Sequence, residues 1–301
     1  MQTDLSGILS AVFTPMNGDG TAIDTAAYAR LLKSQVALGV HGVVVAGSTG
    51  EHSTLTTAER KSLCEAAVAT VKGKTTIIVQ VGATSTRDSL DLARHAMATG
   101  ADRLMAVAPY YDRLRWPDLQ HYLSQVAAIA DGPIVYYHTP RVTGLDLTEE
   151  QLVSLTQSGF ISHIKDSAAD FTRSVRLMLN PGAPKVIAGT DPGMMALLAS
   201  GAVGSILGAS TFIPEICVEL YQAVCEKRDL AAAQAVWKRL WPILNALLLN
   251  GYVAMTKAGA ELRGMPVGAP REPLLPADDE ARATLKRLLA EAGIGRLPAV
   301  D

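Results

Sequence analysis

The chain has only three cysteines, Cys64, Cys217 and Cys225, an odd number with no close pairing pattern. That spacing argues against a disulfide framework and fits reduced thiols used as core filler. Neither sign of charge is in excess, since 27 basic residues against 29 acidic ones leave a net charge of -2. No basic cluster provides an electrostatic footprint for nucleic acid or anionic membrane, so small ligands or protein surfaces are left as partners. No uninterrupted apolar run reaches the roughly 18 residues of a membrane span, and Met1 to Thr14 has no basic region ahead of an apolar one. A cytoplasmic protein is expected. The six histidines, His41, His52, His95, His121, His138 and His163, show no H-x-x-x-H or similar ligand spacing, which argues against a metal site.

What is present is 301 residues, 49% of them hydrophobic, enough for one large domain with a smaller appendage. Eight short β-rich runs recur along the chain: Gly7 to Met16, Gly42 to Gly47, Thr76 to Gly82, Arg103 to Pro109, Pro133 to Pro140, Phe160 to Ser167, Lys185 to Thr190 and Gly204 to Ala209. Amphipathic stretches separate them, including Thr25 to Leu38, Thr56 to Val71, Thr86 to Thr99, Pro117 to Ala130, Thr148 to Gln157 and Asp170 to Leu179. Thr56-Thr57-Ala58-Glu59 and Thr148-Glu149-Glu150-Gln151 are capping-box patterns. This order predicts an α/β fold, a (β/α)8 TIM barrel over residues 1–228. A doubly wound open sheet is the alternative, but no G-x-G-x-x-G opens a helix after the first strand, and Gly47-Ser48-Thr49-Gly50-Glu51 lacks that spacing. Residues 229–301 read as a C-terminal helical appendage, with helices over Ala231 to Leu249, Tyr252 to Leu262 and Asp278 to Ala292.

Lys165 closes the apolar run that begins at Phe160. Strand alternation puts Ile161, His163, Lys165 and Ser167 on one face, with the amine where the strand runs out. Burial disfavours an ammonium, and a neutral amine can attack a carbonyl to form an imine. A solvated surface lysine is the plainer reading of the residue in isolation.

Barrel enzymes carry their chemistry at the carboxyl ends of the strands, so the residues there form one ring. The second strand ends in Gly47-Ser48-Thr49-Gly50-Glu51, where glycines let the backbone approach a ligand and hydroxyls and N–H groups can hold a carboxylate. A tight polar turn is the alternative. The fourth strand ends in Pro109-Tyr110-Tyr111 and the fifth in Tyr136-Tyr137-His138-Thr139-Pro140. Their phenols are available either for proton transfer near Lys165 or simply for packing.

Together, Gly47 to Glu51, Pro109-Tyr110-Tyr111, Tyr137 with Pro140 and Thr143-Gly144, and Lys165-Asp166-Ser167 resemble the dihydrodipicolinate synthase and N-acetylneuraminate lyase family of class I, Schiff-base aldolases. The match runs in order and spacing from about Gly7 to about Ile213, and the helical tail also suits the family. The resemblance implies that Lys165 forms an imine with pyruvate or another 2-keto acid and that no other cofactor is needed. Tyr137 would be the general acid and base, with Ser48 or Thr49 bridging it to Tyr111. Tyr111 would reach a neighbouring subunit's site in a homotetramer or homodimer. Ser48 and Thr49 would hold the pyruvate carboxylate, and Ser167, Gly189, Asp191, Ile206 and Arg141 would be further substrate contacts.

Departures from the family pattern bear on substrate. Dihydrodipicolinate synthases carry an arginine directly before the Thr-Gly of the fifth-strand loop; here that position is Val142, with Arg141 one residue earlier. Sialate lyases follow the aspartate corresponding to Asp191 with a glutamate, and this chain has Pro192. Asp191-Pro192 reads either as a helix N-cap with proline at the first helical position or as a substrate contact. His163 stands where the family has a small residue, as a hydrogen-bonded structural group or as a polar group that tunes Lys165. The resemblance points to a lyase acting on a small 2-keto-3-deoxy or 4-hydroxy-2-keto acid. Alternatives are a 4-hydroxy-tetrahydrodipicolinate synthase with a displaced arginine, a keto-sugar-acid dehydratase, and a non-catalytic keto-acid sensor. The intact set of nucleophile, proton shuttle and bridging hydroxyl argues against the sensor.

Overall fold

The computed structural model describes residues 5–18 and 20–298. The first four residues of the N-terminal stretch read above lie outside them, as do residues 299–301 of the C-terminal one. Eight parallel strands close into a barrel in sequence order: β1 Gly7–Ala11, β2 Gly42–Val45, β3 Thr76–Gln80, β4 Arg103–Val107, β5 Ile134–His138, β6 Ile161–Asp166, β7 Lys185–Ala188 and β8 Gly204–Leu207. β8 pairs back onto β1, with Ile206 beside Leu9. Each strand lies inside its predicted run and is shorter, because the last residues of each run leave the ladder to form the ring above it.

Alternation along the strands sorts the core into two layers. Leu9, Val44, Ile78, Met105, Val135, Ile187 and Ile206 fill the barrel interior. Ile8, Val43, Val45, Ile77, Leu104, Tyr136, Ile164 and Val186 face the surrounding helices. The predicted capping boxes form: Thr56 and Thr148 are N-caps of the helices Thr57–Val71 and Glu149–Gln157, each reciprocated by the third helical residue, Glu59 and Gln151. Both helices therefore begin one residue later than the sequence run.

β6 departs from simple alternation. Ile134 pairs with Ile161 but Val135 pairs with His163, a bulge that passes over Ser162. Ile161 therefore packs outward with Ile134 and Ile164 in the helix layer. His163 and Lys165 stay on the inner face beside Val135 and Tyr137. The expected shared face of Ile161 with Lys165 is corrected by this one extra residue.

Beyond β8 the chain is helical: Pro214–Tyr221, a π-helical turn at Gln222–Glu226, then Leu230–Leu249, Tyr252–Leu262 and Asp279–Glu291. The last three pack on one another, and Leu230–Leu249 also packs on Pro214–Tyr221. The start of Tyr252–Leu262 lies against the strand ends, which brings C-terminal side chains to the ring.

Candidate active site

Lys165 is 5% exposed and lies on the inner face of β6, in register with Tyr137 on β5 and Ile187 on β7. Its Nζ stands 4.1 Å from the centroid of the Tyr137 ring, within cation–π reach. The residue is therefore buried and held by ladders on both sides rather than solvated at a strand tip. A cavity of about 720 Å³ opens above it at the carboxyl ends of the strands, lined by Ser48, Thr49, Tyr137, Arg141, Lys165, Ser167, Gly189, Asp191 and Ile206. Every sequence-predicted site residue but one meets there. Tyr111 does not; it is 87% exposed on the loop after β4.

Tyr137 is nearly buried, which by itself would push its phenol up. The charge of Lys165 and hydrogen bonds with the hydroxyls of Ser48, Ser167 and Thr139 outweigh that, and the phenol ends below its ordinary value of 10.0. Ser167 in turn donates to the Gly189 carbonyl at 2.8 Å, leaving its oxygen free to accept. Ser48 is thus the motif hydroxyl joined to Tyr137. Thr49 turns toward β8, where a side chain on Gly208 would come within 2.7 Å of its Cγ2.

The turn that presents Ser48 and Thr49 is bent at both ends. Ala46 and Glu51 have φ of 52° and 60°, a left-handed conformation that costs a non-glycine residue on the order of 1–3 kcal/mol. A Cβ on Gly50 would stand 3.0 Å from the Val12 carbonyl oxygen. Burial of Glu51 holds the bend. Its Oε1 lies 2.5 Å from Lys257 Nζ, and its Oε2 accepts the Arg271 N–H at 2.7 Å. Burial lowers the Lys257 ammonium, and the Glu51 carboxylate works against that. The glutamate of the motif is therefore a tie to the C-terminal helices, a part that Lys257 gave no sequence signal of playing.

Asp191 is not a helix cap. The helix Met194–Ala199 is entered through Gly193, and both Asp191 carboxylate oxygens lie 2.8 Å from the hydroxyl of Tyr252. The Tyr252 oxygen accepts the N–H groups of Gly208 and Ala209, each at 3.0 Å. Burial raises the Asp191 carboxyl to about 6, with the Tyr252 hydrogen bond and the charge of Lys165 holding it from going higher. Tyr252 was missed in the sequence, because it opens a helix remote from every strand end and carries no motif. His163 lies on the inner face two residues before Lys165, its Nδ1 2.9 Å from the Ser162 hydroxyl. Among the described residues, no group of three His, Cys, Asp or Glu side chains is placed to hold a metal, and no helix is long and apolar enough to cross a membrane.

The model of the dihydrodipicolinate synthetase family matches residues 4–292. The chain belongs to that family. A 4-hydroxy-tetrahydrodipicolinate synthase of Gluconacetobacter diazotrophicus is 32% identical over 294 residues, 97% of this chain and 98% of that protein. Among solved structures, a prophage protein of the dihydrodipicolinic acid synthase family from E. coli K12, in complex with pyruvate, is 30% identical with a TM-score of 0.90, covering 97% of this chain and all of that one. A Ruminococcus gnavus sialic acid aldolase carrying a catalytic lysine mutation is 26% identical with a TM-score of 0.89, covering 96% of each chain. The dihydrodipicolinate synthetase family comprises class I, imine-forming pyruvate lyases, and this chain is one of them.

Proposed function

We propose that Lys165 is the imine-forming lysine and that the enzyme cleaves, or in reverse forms, the C3–C4 bond of a small 2-keto-3-deoxy or 4-hydroxy-2-keto acid. The observation that carries this reading is the buried amine 4.1 Å from the Tyr137 ring, at the floor of the cavity. The neutral amine attacks the keto carbon, water leaves, and the protonated imine remains as an electron sink. Removal of the proton from the C4 hydroxyl lets the C3–C4 bond break. Its electron pair flows into the imine to give an enamine, and the aldehyde departs. Protonation at C3 and hydrolysis then return pyruvate and the free lysine. Tyr137, with its phenol lowered and bonded to Ser48, Ser167 and Thr139, moves the protons. Ser48 and Thr49 hold the keto-acid carboxylate, and Gly189, Asp191, Ile206, Ser167 and Arg141 contact the rest of the substrate. No cofactor beyond the lysine imine enters this scheme.

The exposure of Tyr111 supports a homotetramer or homodimer in which it completes a neighbouring copy's site through Ser48. We place the enzyme in the cytoplasm, a reading supported by the free thiols of Cys64, Cys217 and Cys225, and take residues 229–301 as the appendage that lends Tyr252 and Lys257 to the barrel. A second reading, the synthase reaction of the Gluconacetobacter relative, is favoured by Arg141 on the cavity wall. Borohydride reduction in the presence of pyruvate, read by intact mass and peptide mapping, tests the first step. An adduct on Lys165 is expected, and an adduct on Lys257 or Lys185 would overturn the assignment.

A further inference from the structure

We propose that Arg173 is a positioning residue for the second substrate: it fixes the cavity-rim segment that carries Arg141 and Val142, and it does so without acting on Lys165. The inference rests on the reading of Lys165 given above.

A buried polar cluster lies on the outer face of β5 and β6, opposite the lysine. His138, Asp166 and Arg173 are 0%, 3% and 6% exposed. Asp166 Oδ2 accepts from the Ser174 hydroxyl at 2.9 Å, and Oδ1 accepts the Ala168 N–H at 3.1 Å and Arg173 Nη2 at 3.3 Å. The same Oδ1 lies 3.2 Å from His138 Nδ1. The Leu147 N–H donates to His138 Nε2 at 3.2 Å, so the ring hydrogen sits on Nδ1, and the neutral imidazole donates to Asp166. That assignment makes the 3.3 Å approach of Arg173 Nη2 to His138 Nδ1 a proximity between two donors and not a bond. Arg173 Nη1 points the other way, to Asp146 Oδ1 at 2.5 Å and the Leu147 carbonyl at 3.3 Å. One guanidinium therefore joins the Asp166 core to the rim.

The two ends of this fork have different support. Lys165 is held by β5 and β7 on either side, and those ladders do not involve Arg173. Residues 139–148 belong to no strand. Their short helix, Pro140–Thr143, is closed by the Gly144 N–H on the Pro140 carbonyl, which sets its shape but not its place over the cavity. The segment's first residue is tied to the barrel by Thr139 bonded to Tyr137, and Leu147 is buried in the helix-facing core. The polar ties at its far end are Leu147 bound to His138 and Arg173 bound to Asp146 and Leu147. Asp146 is largely solvated, with a side-chain exposure of 69%, so that ion pair alone is weak. The buried fork, which also engages the Leu147 carbonyl and Asp166, is the stronger constraint.

The test compares Arg173→Met, Arg173→Lys and Asp146→Asn with the wild type. The first readout is the rate of borohydride-trappable imine formation with pyruvate. The second is KM and kcat for pyruvate release from 4-hydroxy-2-oxoglutarate and 2-keto-3-deoxygluconate. The third is amide hydrogen exchange of residues 139–148 against 161–166. Arg173→Met should leave imine formation within about twofold while raising KM about tenfold with kcat little changed, the signature of lost binding rather than lost chemistry. Exchange should quicken over 139–148 only. Arg173→Lys keeps the charge without the fork and should fall between. Asp146→Asn should move KM the same way by about threefold, and because it alters an exposed group it decides the matter if the Arg173 variants do not fold. Parallel loss of imine formation and cleavage, or faster exchange across β6, would overturn the proposal. A wild-type enzyme that forms no imine would instead sink the reading on which it rests, and the exchange comparison would still decide whether Arg173 holds the rim.

Discussion

Tyr252 and Asp191 share a single phenolic hydrogen across the gap between the C-terminal helices and β7, with both carboxylate oxygens 2.8 Å from the hydroxyl. The phenol is otherwise saturated by the Gly208 and Ala209 N–H groups, so it cannot turn away. A side chain on Gly208 would come within 2.6 Å of Tyr252 Cε1, and glycine there is what lets the ring approach. The result is a carboxylate in the lining of the cavity, held by the neutral Tyr252 hydroxyl and its own backbone N–H, with burial working against its charge.

That arrangement predicts a pH dependence with a definite sign. The Asp191 carboxyl is raised from 3.8 to about 6, so its ionised form costs the folded state. Stability associated with this group is complete below about pH 4 and is lost as pH rises through about 6. Asp191→Asn should therefore raise the unfolding free energy more at pH 7 than at pH 4, by an amount on the order of 2–3 kcal/mol. Chemical denaturation at the two pH values measures it. Tyr252→Phe removes a bond that holds the carboxyl down, so the acidic limb of the KM profile for a hydroxylated substrate should move to higher pH. An unmoved limb would mean that Asp191 does not contact substrate in its charged form.

The proton shuttle gives a second expectation. Tyr137→Phe keeps the ring beside Lys165 and removes the hydroxyl, so turnover should fall by about 100-fold or more while the imine with pyruvate still forms. Because the Tyr137 phenol lies below 10.0, ultraviolet difference titration should find one tyrosine ionising ahead of the others in the wild type and missing in the variant. Unchanged turnover would hand the proton to another group.

The strands and their ends were legible because alternation, capping boxes and short polar turns are local signals. Lys165, Tyr137 and Ser48 could be placed on one ring as soon as eight strands were counted. What was not legible depended on contacts distant in sequence. The bulge at Ser162 leaves no mark in an apolar run, so Ile161 was put on the wrong face. Asp191-Pro192 has the local chemistry of a cap, yet Tyr252, remote in the chain, takes its carboxylate. Glu51 reads as part of a ligand-binding turn, and only the fold reveals Lys257 and Arg271 as its binding groups.

Glu51 and Lys257 supply a stability prediction. Both are buried, and their ion pair fixes the strained turn under Ser48 and Thr49. Removing one member leaves the other charge without compensation, a loss of about 3–5 kcal/mol. Glu51→Gln and Lys257→Met should each lower the denaturation midpoint strongly, and the double variant should recover part of the loss. Independent, additive losses in the double variant would show that the pair is not coupled.

The last expectation concerns substrate choice, and it turns on the rim. Val142 and Arg141 both line the cavity, and so does Pro192, beside the Asp191 carboxylate. A synthase needs a guanidinium that grips the carboxylate of aspartate semialdehyde, and a bidentate contact of that kind is strong and directional. Val142 cannot supply it. Proline at 192 likewise offers no side-chain group to the hydroxyls of a long sugar acid such as N-acetylneuraminate. Cleavage of a shorter 2-keto-3-deoxy or 4-hydroxy-2-keto acid should therefore exceed both reactions by at least about tenfold in kcat/KM, or about 1.4 kcal/mol of transition-state discrimination. Side-by-side assays of pyruvate release and of pyruvate consumption with the semialdehyde measure the ratio. Arg141 is the residue that can reverse it, since its exposed side chain also borders the cavity. Efficient condensation with aspartate semialdehyde that disappears in Arg141→Ala would make this a synthase whose carboxylate-binding arginine has moved by one position.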